Sequence, residues 1–355
     1  MSNVYDERDG LRYVLEERQN KKWHGDFPDI KTDYVQLYKQ IEDYLNNEVH
    51  KETMEGSILS GDGLLTDHGK EHVDMVIQRT YLLLKEKVDK LNGFEIFILL
   101  LSIHFHDVGN IYGRDKHEEK IMDVMQKLVV LHPLQTPVQQ IICDIAMAHG
   151  GDHNNSKDTI VTLLPIDHVE GIEIRPAILA SILRYADELA DDHTRAARFL
   201  YDADKVPPGN KIYHDYSKSL EPVAIGGDTV IFKFTIPYNL AVSKSTKMGK
   251  NNKIKKVYLY DEILARLCKT ICELEYCRKY SQGFILINSV EAKISIYNSN
   301  KAVHPIFKES IKLRLSGYPD SKDISIEKLS ENQIKMKKGM DLRKYILSQR
   351  GKKHE

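Results

Sequence analysis

The chain has 355 residues, of which 41% are hydrophobic and 29% are charged, and its formal net charge is -1. This length allows one large domain, or one domain with a smaller second one, around a sizeable core. The balanced charge excludes a global electrostatic argument for nucleic-acid binding and leaves only local basic segments for that role. The start, residues 1–9, is polar and acidic, unlike a signal peptide, and the apolar run ending at Ile103 is too short for a membrane span. We therefore expect a cytoplasmic protein with no membrane partner.

The first segment, residues 1–55, is predicted to be a helical lead-in. Its opening residues are charged and include Trp23, the single tryptophan of the chain. Asp33 is a suitable N-cap for a helix that runs to about residue 47, because Val35 and Tyr38 begin an apolar face with helical spacing.

The second segment, residues 56–205, contains the histidines that suggest chemistry. After a glycine-containing loop, His68 and His72 lie four residues apart in a helical pattern, which places both on one helix face. An apolar helix follows from about residue 94 and ends in His106-Asp107. An imidazole and a carboxylate beside so much apolar surface are unfavourable unless they are paired or bind a metal. The pair offers one nitrogen and one oxygen ligand, which suits Mn, Fe, Ni, Co or Zn.

Three further helices of this segment also place polar residues at their ends. One begins near residue 116 with His117 in its first turn. The next begins near residue 136 and ends at His149, before two glycines, with His153 in the loop beyond. The third begins near residue 175 and carries Asp187 close to its C-terminal end. A carboxylate is opposed by the helix dipole there, and a cation would offset that cost.

The third segment, residues 206–355, is predicted to be a smaller α+β unit. Its pattern predicts a β-hairpin, a helix over about 258–280, a short strand at 284–289 and a second at 293–297. We interpret the lysine-rich stretch 244–256 as a solvated loop. A second dipeptide, His214-Asp215, has no apolar helix before it, and we interpret it as part of a surface loop.

The histidines of the second segment are best explained together. One histidine on an apolar helix is most often a satisfied core residue, but five in one helical segment are harder to explain in that way. The candidates lie at or near helix ends that can converge: His68, His72, His106-Asp107, His117, His149 and Asp187. We predict that they form a metal site.

The order His, His-Asp, His, His, Asp on successive helices resembles the HD-domain superfamily of metal-dependent phosphohydrolases. The string Asp67-His68-Gly69-Lys70-Glu71-His72-Val73 is similar to the opening motif of that superfamily, and Leu183-Arg184-Tyr185-Ala186-Asp187 is similar to its closing motif. The resemblance covers about residues 60 to 200, and the pattern is similar to the branch found in bacterial conflict and defence systems. It implies a mainly α fold, with an HD-type helical bundle over 56–205 and the smaller α+β unit appended.

Carried over residue by residue, the resemblance implies one divalent metal bound by His72, His106, Asp107 and Asp187. His117 and His149 match two middle histidines that bind a second metal or contact phosphate. His68 is expected to orient a ligand or to contact phosphate, and His153 competes with His149 because both follow the same helix. The implied cofactor is one or two divalent ions of Mn, Mg, Ni, Co, Fe or Zn.

Two cations near the expected ligands are candidates for binding phosphate. Lys70 lies at the start of the helix that carries His72, and Arg184 precedes Asp187 by about one helical turn. The alternative for each side chain is a surface ion pair or a solvated charge, and the sequence leaves both interpretations open.

These features predict a metal-dependent phosphohydrolase that cleaves a phosphate ester or anhydride of a nucleotide or nucleotide-like molecule. A first alternative is a metal-dependent nuclease on single-stranded DNA or RNA, supported by the lysines of 244–256. A second alternative is a sensor module that binds a nucleotide in the same pocket without turnover. The expected partner is therefore a nucleotide-like small molecule, with nucleic acid less favoured and a homo-oligomer left open.

Overall fold

The computed structural model describes most of the chain, in the ranges 10–21, 25–29, 31–53, 69–190, 206–249, 253–299, 302–315 and 325–351. The chain divides into two compact units. The first comprises Met1–Ala190 and Cys277–Leu286, and the second comprises Asp191–Tyr276 and Ile287–Glu355. The first unit is mainly helical and the second combines helices with a sheet, which confirms the predicted fold class. The domain boundaries predicted at residues 55 and 205 stay predictions.

The first unit is a helical bundle. Its helices are, in chain order, α1 (Gly10–Lys21), α2 (Tyr34–Tyr44), α3 (Lys70–Leu84), α4 (Gly93–Phe105), α5 (Ile121–Met125), α6 (Thr136–Met147) and α7 (Pro176–Glu188). A π-helical turn, Leu45–Val49, continues α2, and 3-10 turns at Val108–Tyr112 and His117–Lys120 join α4 to α5. A small antiparallel hairpin, β1 (Asp167–Val169) and β2 (Ile172–Ile174), precedes α7.

Helix α4 is the centre of this bundle. All of its residues are buried, and it packs against α1, α2, α3, α6 and α7. The stretch Gly93–Tyr112 is long and apolar enough to cross a membrane by length and composition, but 94% of that window is buried inside the protein, as in a central core helix. A capping box begins α4: Asn92 Oδ1 accepts from the backbone of Glu95 at 2.8 Å, and Glu95 Oε2 accepts from the backbone of Asn92 at 3.1 Å.

The same Glu95 connects α4 to α7. Its carboxylate is fully buried and accepts from Arg175 Nε at 2.8 Å and from Arg175 Nη2 at 2.6 Å. Arg175 is the N-cap residue of α7, so this ion pair places the starts of both helices side by side. Each helix has 13 residues, or about 20 Å of length. Their C-terminal ends, with His106-Asp107 and Asp187, therefore lie at the same level at the other end of the bundle.

The second unit is built on a four-stranded sheet. Its order is β3 (Ala224–Gly226), β4 (Thr229–Pro237), β7 (Ser289–Tyr297) and β8 (Phe307–Arg314), with β4 and β7 parallel and the other pairs antiparallel. A separate hairpin is formed by β5 (Lys244–Met248) and β6 (Ile254–Tyr258). The helices of this part of the chain are α8 (Lys211–Ser219), α9 (Tyr238–Val242), α10 (Leu259–Tyr280), α11 (Ile326–Leu329) and α12 (Gly339–Gly351).

Three local predictions in this part of the chain are wrong. The lysine-rich stretch 244–256 is the β5–β6 hairpin and not a loop. Its strands are held by ladder pairing, and Lys247 donates to Glu262 at 2.6 Å. His214-Asp215 lies inside α8 and is fully buried, because the polar pair shares that helix with Ile212 and Tyr216, which are buried as well. The strand predicted at 284–289 begins only at Ser289, whose register partner is Thr229, the first residue of β4.

Candidate metal centre

Four side chains from three helices meet at one end of the bundle. His72 comes from the first turn of α3, His106 and Asp107 from the end of α4, and Asp187 from the end of α7. His72 Nε2 lies 3.2 Å from His106 Nε2, 3.2 Å from Asp187 Oδ1 and 3.5 Å from Asp107 Oδ2. His106 Nε2 lies 3.3 Å from Asp107 Oδ2 and 3.6 Å from Asp187 Oδ1. We call these four side chains the first ligand group.

The spacing of the first ligand group fits a metal ion. With metal–ligand distances of about 2.0–2.2 Å, neighbouring ligand atoms lie about 2.8–3.6 Å apart in octahedral or tetrahedral geometry. The distances of 3.2–3.6 Å among these atoms fall in that range. Two imidazole nitrogens and two carboxylate oxygens form a donor set that suits a divalent transition metal.

A second ligand group shares Asp107 with the first. Asp107 Oδ1 lies 3.1 Å from His117 Nε2 and 3.8 Å from His149 Nε2, while Oδ2 faces His72 and His106. His117 Nε2 is buried and lies close to Asp107 Oδ1 without a well-formed hydrogen bond. Asp107 therefore lies between the two ligand groups, with one carboxylate oxygen toward each.

Three of these histidines present the same nitrogen, Nε2, for the same reason. His106 Nδ1 lies 2.6 Å from the carbonyl oxygen of Ile103, His149 Nδ1 lies 2.6 Å from that of Ala146, and His117 Nδ1 lies 3.2 Å from that of Arg114. In each case the carbonyl belongs to the residue three positions earlier. Because a carbonyl only accepts, Nδ1 carries the proton, and in the neutral ring the lone pair is on Nε2. These carbonyls orient the ligands as outer partners do in metal proteins.

Burial and charge shift the pKa values of these groups strongly in the metal-free protein. Burial works against the charged form of His106, but Asp107 and Asp187 raise its pKa to about 10. Burial and the charge of His106 lower the pKa of His149 to about 4. Burial would raise the pKa of Asp187, yet hydrogen bonds from His106 and His72 hold it well below its ordinary value. Asp187 thus stays ionised beside the protonated ring of His106, where a metal cation would bind.

The site opens on the side of Asp187. The side chain of Asp187 is 29% exposed, whereas those of His72, His106, Asp107, His117 and His149 are exposed by 9% or less. A ligand entering from solvent therefore meets Asp187 first.

Two residues that the sequence did not single out support the shared carboxylate. Asn110 is fully buried and donates from Nδ2 to Asp107 Oδ1 at 3.1 Å. Gly109 lets the turn after α4 pack against the backbone of His117, because a Cβ at this position would collide with the carbonyl oxygen of His117. Both lie within three residues of Asp107, so their presence in the string Asp107-Val108-Gly109-Asn110 was the available signal.

The remaining predicted site residues lie apart from the two groups or outside the described ranges. His68 lies outside the described residues. His153 is exposed in the loop after α6, where its backbone pairs with Ser156, and it is in neither ligand group. Lys70 is exposed and forms an ion pair with Asp74.

Arg184 is held by the loop that follows α6. It is buried, and its Nη1 donates to Thr159 Oγ1 at 2.9 Å and to the carbonyl of Lys157 at 3.0 Å. Thr159 in turn donates to the carbonyl of Ala148, beside His149, at 2.7 Å. These contacts support the end of α6, and the phosphate roles of Lys70 and Arg184 stay predictions.

Comparison with known families agrees with this geometry. The family model HD-CE matches residues 63–236 of the chain. The chain therefore contains an HD-type domain. In the described part of the chain, both ligand groups lie within the matched stretch, while α1 and α2 precede it. Comparisons with curated proteins and with solved structures give no significant match.

The HD-type domain and the buried ligand groups together indicate a metal-dependent hydrolase. The ligand atoms His72 Nε2, His106 Nε2 and Asp187 Oδ1 lie within 4.8 Å of one another, and so do those of Asp107, His117 and His149. Either group could hold a divalent cation.

Proposed function

We propose that this protein is a metal-dependent phosphohydrolase that cleaves a phosphate ester or anhydride of a nucleotide or nucleotide-like molecule. The observation that carries the proposal is Asp107, whose two carboxylate oxygens face two different groups of histidine lone pairs. If each group held one cation, the two cations would lie close together, and paired cations suit a reaction in which negative charge develops on phosphoryl oxygens.

The chain's own residues would hold the ions, orient the ligands and limit water. When bound, the divalent ions would supply Lewis-acid chemistry and an activated water. His72, His106, Asp107 and Asp187 are proposed to hold the first ion, and His117 and His149 a second ion or a phosphate. Asn110 and the three carbonyls keep these side chains in orientation. When it does not bind metal, His117 would donate a proton to the leaving oxygen, because, although burial works against its charged form, Asp107 raises its pKa.

The first experiment measures metal content and released phosphate together. The purified chain is loaded with Mn, Mg, Ni or Co and screened against nucleotides, beside His106→Ala and Asp107→Ala. The matched control is His168→Ala, which removes an exposed histidine of β1 that is in neither group. We expect activity in the wild type and the control and its loss in both variants. Activity that survives both changes, or that appears with no metal, would contradict the proposal.

A second candidate is a nuclease on single-stranded nucleic acid. The β5–β6 hairpin supports it, because Lys253, Lys255 and Lys256 are all exposed. Binding of an oligonucleotide that weakens steeply with salt, and is reduced when these three lysines become glutamine, would favour this candidate. Tight binding of a nucleotide without turnover in the same screen would instead favour a sensor module.

A role in bacterial defence is part of the proposal and is supported by the overall motif pattern, which is similar to the conflict and defence branch of the HD superfamily. Its test is a phage challenge of cells carrying either the wild-type chain or His106→Ala. Protection that depends on His106 would support the role, and equal plaque counts in both strains would argue against it.

A further inference from the structure

A second polar cluster, which is partly buried, lies between the N-terminal helices and the ligand helices. Arg12 of α1 donates from Nη2 to Glu42 of α2 at 2.6 Å and to Asp74 of α3 at 2.6 Å. Arg12 Nε also donates to Tyr38 Oη of α2 at 3.1 Å, and Tyr38 donates to Glu42 at 2.9 Å. We call Arg12, Tyr38 and Glu42 the Arg12 cluster. It connects α1, α2 and α3 through one guanidinium.

The cluster also reaches α4. His104 Nε2 lies 3.1 Å from Tyr38 Oη and 3.4 Å from Glu42 Oε1. Because Tyr38 gives its single proton to Glu42, its oxygen accepts from His104 Nε2. His104 Nδ1 then accepts from His50 Nε2, which lies 3.2 Å away. Burial would raise the pKa of Glu42, but its contacts with His104 and Arg12 lower it to about 2, so the cluster contains a charged carboxylate and a charged guanidinium.

The attachment points on the ligand helices follow a common rule. Asp74 lies two residues after His72 on α3, and His104 lies two residues before His106 on α4. Two residues correspond to about 200° around a helix, so each attachment point lies on the face opposite its metal ligand. The Arg12 cluster thus contacts both ligand helices on the faces opposite their metal ligands. A rotation of either helix about its axis would break hydrogen bonds of the cluster and would also move a ligand nitrogen.

A rotation of either helix matters because the first ligand group can bind a metal only over a narrow range of distances. His72 Nε2 and His106 Nε2 are 3.2 Å apart on separate helices. Metal sites accept deviations of only about 0.2 Å in metal–ligand distance. Apolar packing between α3 and α4 does not specify rotation so sharply, because it is not directional. Hydrogen bonds to a planar guanidinium are directional.

We propose that Arg12, acting through Tyr38 and Glu42, is a positioning residue for the metal centre. It sets the rotation of α3 and α4 and so the distance between the two imidazole nitrogens of the first ligand group. The inference rests on the metal-binding part of the proposed function. It extends the centre to helices that precede the stretch 63–236 matched by the family model.

The test compares Arg12→Ala with Arg18→Ala. Arg18 lies on the same helix, is 5% exposed and donates to the carbonyl of Asp89 at 2.8 Å, so its loss also removes a buried arginine but leaves the Arg12 cluster intact. Each metal-free protein is titrated with Co²⁺ alone, and affinity, the visible spectrum of the bound ion and thermal unfolding of the metal-free form are recorded. The spectrum reports ligand geometry, which a loss of general stability would not change.

We expect Arg12→Ala to lower Co²⁺ affinity by about 10–100-fold and to change the spectrum. Arg18→Ala should lower the unfolding temperature and leave affinity and spectrum as in the wild type. If Arg12→Ala does not fold, Tyr38→Phe removes only the hydroxyl between Arg12 and His104 and should weaken binding in the same direction. Equal affinities for wild type, Arg12→Ala and Tyr38→Phe, or equal losses for Arg12→Ala and Arg18→Ala, would overturn the inference.

The outcomes separate this inference from the proposed function. A wild type that binds Co²⁺ and depends on Arg12, but hydrolyses no nucleotide, would contradict the hydrolase proposal and support the positioning role. If the wild type hydrolyses nucleotides and Arg12→Ala binds Co²⁺ as tightly as the wild type, the hydrolase proposal is supported and the positioning role is contradicted. A wild type that binds no metal would overturn both.

Discussion

The chain contains two His-Asp dipeptides, and the structure gives them different surroundings. His106-Asp107 and His214-Asp215 are both buried, and both are associated with a helix. The first pair ends α4: His106 still has helical φ and ψ of -57° and -35°, but Asp107 has -111° and 2°. The second pair lies in the interior of α8, where successive side chains diverge by about 100°.

This difference shows why position within a helix matters more than the dipeptide itself. Leaving the helix lets Asp107 turn back toward its neighbour, so that its Oδ2 lies 3.3 Å from His106 Nε2. Within the described part of the chain, the two potential metal groups include His106 and Asp107 and neither includes His214 or Asp215. Asp215 instead accepts a hydrogen bond from Ser245. Burial of a His-Asp pair is therefore compatible with a structural role.

The largest expected effect comes from removing the carboxylate of the first dipeptide, compared with removing that of the second. Asp107→Ala removes the carboxylate that both ligand groups share, and we expect loss of bound metal and a fall in activity of about 10³-fold or more. Asp215→Ala removes a buried carboxylate of the second pair and should lower stability by about 1–3 kcal/mol with metal content unchanged. Metal analysis and thermal unfolding of both variants measure this. Loss of metal in both would mean that the two dipeptides do not differ as described.

The next effect tests what places the first dipeptide beside Asp187. Arg175→Ala leaves Glu95 buried without its ion pair and should reduce the free energy of unfolding by about 3–5 kcal/mol. Because the pair aligns α4 with α7, metal affinity should fall as well. Lys39→Ala is the control, since its ion pair with Glu16 is exposed and is expected to contribute less than about 1 kcal/mol. Unchanged metal affinity in a folded Arg175→Ala protein would show that packing alone aligns the helix ends.

A third effect depends on pH and concerns the first dipeptide alone. In the metal-free protein the pKa of His106 is raised to about 10, so between pH 6 and 9 the ring holds a proton that must leave before Nε2 binds a metal. Metal affinity should therefore rise with pH, by up to about tenfold per unit, and level off near pH 10. Calorimetric titrations with Co²⁺ in buffers of different ionisation enthalpy would also show the released proton. A flat profile without proton release would contradict the charged state of His106.

The smallest effect concerns the support of Asp107. Asn110→Ala removes the hydrogen bond to Asp107 Oδ1, and we expect metal affinity to fall by about tenfold with the first ligand group still present. A Co²⁺ titration measures it. A loss as large as that of Asp107→Ala would mean that Asn110 does more than orient the carboxylate.

Much of the first unit could be predicted because its signals are local. The apolar run before His106, the cap at Asp33 and the proline near the start of α7 each define a helix from neighbouring residues. The structure brings His72, His106, Asp107 and Asp187 together, and their role as metal ligands stays a prediction. The errors arose where local signals were weak. In sequence, the lysines of the β5–β6 hairpin resemble a solvated loop, and the His214-Asp215 dipeptide inside the short helix α8 resembles a surface segment.

The sequence by itself determined which residues are available for a metal. It also determined that each would lie at or near a helix end, because capping residues, prolines and glycines specify where helices begin and end. Only the tertiary structure decided which of those ends meet. The Glu95–Arg175 pair, the approach of Gly109 to His117 and the contacts of the Arg12 cluster join residues 80, 8 and up to 66 positions apart in the chain. Such contacts depend on the packing of whole helices, and no local pattern encodes them.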